Sequence, residues 1–186
     1  IYIDRLEIVK SDEEKAVATS THLSELKIEV KNKTLYIQYK PNVSLQNADT
    51  KVVVYAKDLV KAEAGNASSI KVKSLFETAE QTFESNGSGR IVADSKASVV
   101  NINTDSAGGF SGKINTKNLN VDANSASSVK ISGSADHAKI NVDSASSVDA
   151  KNMNIQTAIA TASATSSITL SVSKELTASA SSLAKI

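Results

Sequence analysis

The sequence predicts an all-β protein, a parallel β-helix (solenoid) with coils of about 19–20 residues, and three observations carry that expectation. The first is a recurring small-residue cluster: Ala67-Ser68-Ser69-Ile70, Gly87-Ser88-Gly89-Arg90, Ala107-Gly108-Gly109-Phe110, Ala126-Ser127-Ser128-Val129, Ala145-Ser146-Ser147-Val148, Thr165-Ser166-Ser167-Ile168 and Ala180-Ser181-Ser182-Leu183. Measured at the first residue of each small pair, successive steps are 20, 20, 19, 19, 20 and 15. The second is period-two alternation ahead of the corners, in Val100-Asn101-Ile102-Asn103, Leu119-Asn120-Val121-Asp122 and Ile140-Asn141-Val142-Asp143, and after them in Ile70-Lys71-Val72, Val129-Lys130-Ile131 and Ile168 to Val172. The third is composition: 29 serines and 24 alanines against 4% aromatics and no tryptophan, with 25 of the serines after residue 60.

From the N-terminus, Ile1 to Val9 alternates and reads as a strand. Ser11-Asp12-Glu13-Glu14 has the spacing of a capping box and would open a helix through Leu26, against which stand the poor helix formers Val17, Thr19, Ser20 and Thr21. Leu26 to Val30, Thr34 to Tyr39 and Val52 to Tyr55 read as strands, separated by Lys31-Asn32-Lys33 and by the Pro41-Asn42 loop. All four tyrosines and the single proline precede residue 60, and no aromatic residue follows Phe110. The expected organisation is therefore one domain over 1–186, with 1–60 as an N-terminal β cap and 61–186 as repeat coils.

A unit of about 20 residues holding two or more short strands leaves no room for a helix and cannot bury an apolar face alone. Stacking in parallel register solves both problems, with a rise of about 4.8 Å per coil and a rod roughly 30 Å long for seven coils. Corners must then be nearly free of side chains, and Gly108-Gly109 and Gly87/Gly89 are expected to supply positive φ there. Asn101, Asn103, Asn120, Asp122, Asn141 and Asp143 are expected to stack on the outside. A propeller blade needs about 40 residues, and an antiparallel sandwich gives no reason for a fixed 19–20-residue identity.

The chemistry of the chain is sparse. Net charge is +1, so no strong field draws it to nucleic acid or to anionic membranes. The absence of cysteine excludes disulfides, thiolate metal sites and a cysteine nucleophile. His137 beside Asp136, and His22 beside Thr21, read as surface residues and not as general bases. Gly87-Ser88-Gly89-Arg90 lacks the Lys-Ser/Thr pair of a phosphate loop. Asp122 and Asp143, placed in stacked coils, make at most a weak hard-cation site. No catalytic, cofactor-binding or metal residues are assigned, and no cofactor is expected. A sugar platform would have to use Tyr36, Tyr39, Tyr55, Phe76, Phe83 or Phe110, because later coils have no aromatic.

Together, the Leu26 to Tyr39 pattern, the Lys51 to Tyr55 strand, the Gly87-Ser88-Gly89 corner and Ser111-Gly112-Lys113-Ile114-Asn115 make the chain resemble the putative auto-transporter adhesin, head GIN domain family. The order and spacing of these short motifs span nearly the whole chain, although most corners are Ala-Ser-Ser where the family has Gly-Ser-Gly. The resemblance implies a right-handed β-helix in exported or surface-anchored bacterial proteins, often lipoproteins, and it implies no catalytic residues. The expected function is a non-catalytic cell-surface or periplasmic interaction module. The expected partner is a surface glycan or protein, or a second copy of the chain, with no nucleic acid. The alternative is a polysaccharide-active lyase or hydrolase, since fold alone does not decide function. No apolar run is long enough for a membrane span, and the opening at Ile1 suits a mature exported chain, lipid-anchored through an upstream segment, or a fragment.

Overall fold

The computed structural model describes residues 3–43, 45 and 49–186. Fourteen strands are formed among them: β1 Arg5–Lys10, β2 Lys15–Ser20, β3 Leu26–Lys31, β4 Thr34–Tyr39, β5 Thr50–Ala56, β6 Lys61–Ala64, β7 Ser69–Val72, β8 Glu77–Ser85, β9 Arg90–Val92, β10 Ser95–Thr104, β11 Gly109–Ala123, β12 Ser128–Val142, β13 Ser147–Ala162 and β14 Ser167–Ala180. The coil strands pair in parallel, each with its counterpart about 19 residues away, in a β-solenoid of about 6 turns. The seven small-residue clusters thus mark about six turns, because the last cluster closes only the start of a further coil.

Stacking is written into columns of side chains. Along one inward column, Phe83, Ile102, Val121, Ile140 and Ala160 lie in register and are all buried. Across the coil, Ile70, Ile91, Phe110, Val129, Val148 and Ile168 form a second buried column. Phe83 and Phe110 meet between them with ring centroids 5.1 Å apart. Alternation along each strand places these residues inside and their neighbours outside, and each fully buried aliphatic contributes about 1.5–3 kcal/mol.

The polypeptide stays in the ladder through most of each coil, so the expected short strands merge into continuous strands of 15, 15, 16 and 14 residues in β11 to β14. One extra residue enters β13 opposite Lys130 to Ser132, which lengthens that step of the repeat from 19 to 20.

The remaining corner is a β-turn, and it differs from the expected one. Positive φ occurs in doublets at Asn66/Ala67, Gly87/Ser88, Ser106/Ala107, Ser125/Ala126, Ser144/Ala145, Ala164/Thr165 and Ser182/Leu183. These lie one or two residues before most of the small pairs seen in the sequence, and the apparent final step of 15 becomes 18. Gly89, Gly108 and Gly109 do not have positive φ; of the glycines expected to supply it, only Gly87 does. The doublet is imposed by hydrogen bonds on both sides. Within the turn Gly108 N donates to Asp105 O at 2.9 Å, and between coils Ala107 N donates to Ser125 O at 2.9 Å. Two residues of left-handed backbone satisfy both sets, as in a type I′ turn.

The residue after the doublet points inward. Ser127, Ser146 and Ser166 are buried there. Ser127 N donates to Ser146 Oγ at 3.1 Å, the Ser127 and Thr104 hydroxyls bond at 2.9 Å, and Ser166 Oγ donates to Val142 O at 3.0 Å. Serine is small enough for the column and also caps polar groups that would otherwise be buried unpaired.

At the N-terminal end, β1 pairs in parallel with β7 and β5, and β2 closes that edge antiparallel to β5. Ile1 and Tyr2, the beginning of the expected Ile1 to Val9 strand, lie outside the described residues. The helix option over Ser11 to Leu26 is not taken: Glu13 N donates to Ser11 Oγ in a local turn, Lys15–Ser20 pairs as β2, and only a single 3-10 turn forms at Leu23–Glu25. Sheet pairing with β5 outweighs a marginal local propensity. Strands β3 and β4 form a separate antiparallel hairpin whose base packs, through Leu26, Ile37 and Tyr39, with Ile3 and Val52. The Tyr39 hydroxyl bonds to Thr50, which in turn meets Ser20 Oγ at 2.7 Å.

Candidate functional site

The outward residues of β8, β10, β11 and β12 build a continuous polar face. Asn101 stacks on Asn120, and Asn103, Asp122 and Asn141 form the adjacent column. Amide ladders run along it: Asn120 Nδ2 donates to Asn101 Oδ1 at 2.8 Å, Asn101 Nδ2 to Glu80 Oε1 at 2.7 Å, and Asn141 Nδ2 to Asp122 Oδ1 at 2.8 Å. These bonds fix the side chains at the coil spacing. Asn101, Asn120, Asp122 and Asn141, together with Thr82, Asn103 and Lys139, line a shallow groove of about 370 Å³. Among the described residues, the Asn103 amide and the Lys139 ammonium have no side-chain partner, and both residues line the groove.

Asp143, expected in the same stack, belongs elsewhere. Asp122 is in register with Asn141, whereas Asp143 sits two residues further on, at the first position of a corner turn. The Asp122–Asp143 pairing considered for a cation is therefore not made, because the two carboxylates occupy different columns. Among the described residues no group of three or more His, Asp or Glu side chains could hold a metal ion.

The Asp143 carboxylate instead caps its own corner, accepting from Ser163 Oγ at 2.7 Å and from Ser144 N at 2.8 Å, and these bonds hold its pKa below the usual range. Asp105 is lowered likewise, by the Ser125 hydroxyl and then by the Ser106 backbone. A depressed folded-state pKa stabilises the fold fully above the unfolded-state value and is lost as pH falls through the folded value. The double variant Asp105→Asn, Asp143→Asn should therefore melt below the parent at neutral pH, with the gap closing on acidification; thermal melts across the acid range would show it, and a gap independent of pH would refute it.

The other sequence candidates are structural. His137 Nδ1 bonds Thr157 Oγ1 at 2.7 Å, while Asp136 accepts from Gln156 Nε2 at 2.6 Å, so the two adjacent residues have separate partners and form no dyad. His22 Nδ1 meets Thr21 Oγ1 at 3.0 Å at the surface. Gly87-Ser88-Gly89-Arg90 is a corner turn followed by β9. Tyr39, Phe76, Phe83 and Phe110 are buried in the two cores, which leaves, among the described residues, Tyr36 and the half-buried Tyr55 as the aromatics at the surface, outside the groove lining.

A second concavity opens toward the C-terminal end. Beside β14, on the side that carries the bridge of Ser167 to Lys185, Leu170, Val172, Leu176 and Ala178 line a cleft of about 540 Å³.

The family model for the putative auto-transporter adhesin, head GIN domain, matches residues 3–186. No curated protein matches the chain in sequence. Among solved structures, a putative lipid binding protein from Parabacteroides distasonis superposes with a TM-score of 0.81 at 17% identity, over 99% of this chain and 89% of the other. A putative adhesin from Parabacteroides merdae gives 0.81 at 11% identity, over 99% and 88%, and one from Bacteroides fragilis gives 0.60 at 16% identity, over 98% and 84%. At these identities the likeness is one of fold.

Proposed function

Because the chain belongs to the putative auto-transporter adhesin, head GIN domain family, we propose that it is a non-catalytic binding module of the bacterial cell surface. In this reading residues 1–186 form one domain, with 1–60 as the cap and 61–186 as the coils. The module is exported and lipid-anchored through a segment upstream of Ile1. The solenoid is the rigid support, and the polar face of β8 to β12 is the surface that meets a glycan or protein partner.

The observation that supports this is the groove itself. Its amides are held in line by one another, leaving Asn103 and Lys139 to bond a ligand at no ordering cost to the backbone. Its mixed lining of amide, ammonium and a single carboxylate suits a hydroxyl-rich neutral surface better than a strongly charged one. A glycosidase of the usual kind would instead need two carboxyl groups flanking a scissile bond.

The test is binding to a glycan panel together with an assay for released reducing or unsaturated ends. Retention without turnover is expected, with binding weakened about tenfold by Asn103→Ala combined with Lys139→Ala, as for lost hydrogen bonds to a charged or amide group. Turnover would establish the polysaccharide-active alternative. Retention unaffected by the double variant would remove the groove from the function.

A further inference from the structure

The β3–β4 hairpin carries a surface that the solenoid does not use. Its cross-strand pairs Leu26 with Tyr39, Ile28 with Ile37 and Val30 with Leu35 place six apolar side chains on one face. Only the base of that face is covered: Leu26, Ile37 and Tyr39 pack with the small N-terminal core, while Ile28, Val30 and Leu35 belong to no apolar cluster among the described residues. Val30 is 70% exposed, Ile28 37%, and Tyr36 on the opposite face 44%. Single exposed aliphatics are ordinary, but a contiguous apolar end at the tip of an element marks a contact surface.

Charge identifies what the tip suits. Residues 26–39 hold three lysines and one glutamate, a net of +2, whereas the whole chain nets +1. Glu29 is bracketed by Lys27 at 2.9 Å and Lys31 at 3.0 Å, which hold it ionised on the Tyr36 face of the hairpin, opposite the apolar strip. Lys33 stands in the turn itself, where Asn32 and Lys33 have φ of 49° and 64°. The hairpin therefore presents aliphatic side chains on one face, lysines and a tyrosine on the other, and Lys33 in the turn that joins them. Apolar side chains that enter the acyl boundary, lysines that reach phosphate, and tyrosine at the headgroup depth are the three parts of interfacial membrane binding.

We infer that the tip of this hairpin docks on an anionic lipid bilayer, with Ile28, Val30 and Leu35 entering the headgroup region and Lys27, Lys31 and Lys33 meeting lipid phosphates. Free phosphate offers nothing to the apolar strip, and a zwitterionic bilayer, whose phosphates are balanced by choline, carries no net negative potential to draw the lysines. The docking is separate from the polar groove, and it anchors the N-terminal end of the solenoid while leaving the coils clear of the bilayer.

Flotation of the full chain with vesicles of phosphatidylcholine, alone or mixed with phosphatidylglycerol, tests it. The chain should float with the mixed vesicles and stay behind with the neutral ones. Lys31→Gln and Lys33→Gln should each lower the partition coefficient about fivefold, and Val30→Ser should lower it by a similar factor of about five. These side chains are exposed, so thermal melts should match the parent. The chain has no tryptophan, so Val30→Trp provides a second readout, a blue shift of emission on mixed vesicles alone. No flotation, or flotation equal on both vesicles, would overturn the inference. Loss with the lysine variants but not with Val30→Ser, and no shift at Val30→Trp, would overturn it in favour of a purely ionic contact such as an acidic protein.

Discussion

Gly133→Ala should destabilise the protein by about 3 kcal/mol or more, the range reached when backbone strain and overpacking act together. Gly133 has φ of 113°, a conformation that L side chains rarely adopt, and an added Cβ would overlap the carbonyl oxygen of Ile114 in the preceding coil. Neither penalty can be relieved locally. Rotating φ would break the ladder of β12 with β11 and β13, and lifting the coil would open the buried columns on both sides of it. For a chain of this length the loss corresponds to a fall in Tm of roughly 6–12 °C. Gly109→Ala is the control: its added Cβ comes within 3.2 Å of the flexible Arg90 side chain and meets the Ser128 carbonyl oxygen at an ordinary 3.8 Å, so a cost under about 1 kcal/mol is expected. Chemical denaturation of the two variants decides the matter, and a Gly133→Ala protein within 1 kcal/mol of the parent would show that the coils yield more easily than close packing implies.

Replacing Ala67, Ala107 and Ala145 together by glycine should raise stability by about 2 kcal/mol, or roughly 4–8 °C in Tm. Each alanine is the second residue of a corner doublet, with φ of 63°, 63° and 61°. There the Cβ crowds the following carbonyl at a cost of about 1–2 kcal/mol, and the greater freedom of glycine in the unfolded chain offsets part of the gain. The three corners alternate along the stack, about 9.6 Å apart, so their effects should add. Ala150→Gly, in a buried strand position without positive φ, should do the opposite. If the triple variant melted at or below the parent, the neighbouring coils would have to be holding the left-handed doublets without strain.

The success of these substitutions depends on a distinction that the sequence hides. Serine has three roles within a few residues: Ser125 takes the left-handed turn, Ser127 points into the core, and Ser128 begins the next strand. One letter repeated for three reasons makes the corner visible but blurs its position, which is why the small pairs lie one or two residues beyond most of the true doublets. Glycine was the natural candidate for positive φ, yet Ser, Ala, Asn and Thr occupy most of those positions. Paired hydrogen bonds from the coils above and below impose the conformation on whatever residue is there.

The candidate site was legible in part. Alternation puts Asn101, Asn103, Asn120, Asp122 and Asn141 outside, as expected. Which of them bond one another depends on coil register, and register separates Asp122 from Asp143 and leaves Asn103 and Lys139 lining the groove. The hairpin Leu26 to Tyr39 was equally clear as two strands, but nothing in its alternation says that the base of its apolar face is covered and the tip is not. The helix option at Ser11 failed for a similar reason: a capping signal is local, and the β5 edge that claims Lys15–Ser20 lies thirty to forty residues away.

The sequence by itself determined the solenoid, because a stacked coil must repeat its inward aliphatics and its narrow corners at every turn, and a repeat at constant spacing is visible without coordinates. Only the tertiary structure decided what the repeat cannot encode: the left-handed backbone of the corners, the inward serine ladder, the partners along the polar face, and which part of the hairpin's apolar face is packed among the described residues. Those features depend on what the neighbouring coil or strand supplies at a given point, and periodicity describes what the coils share.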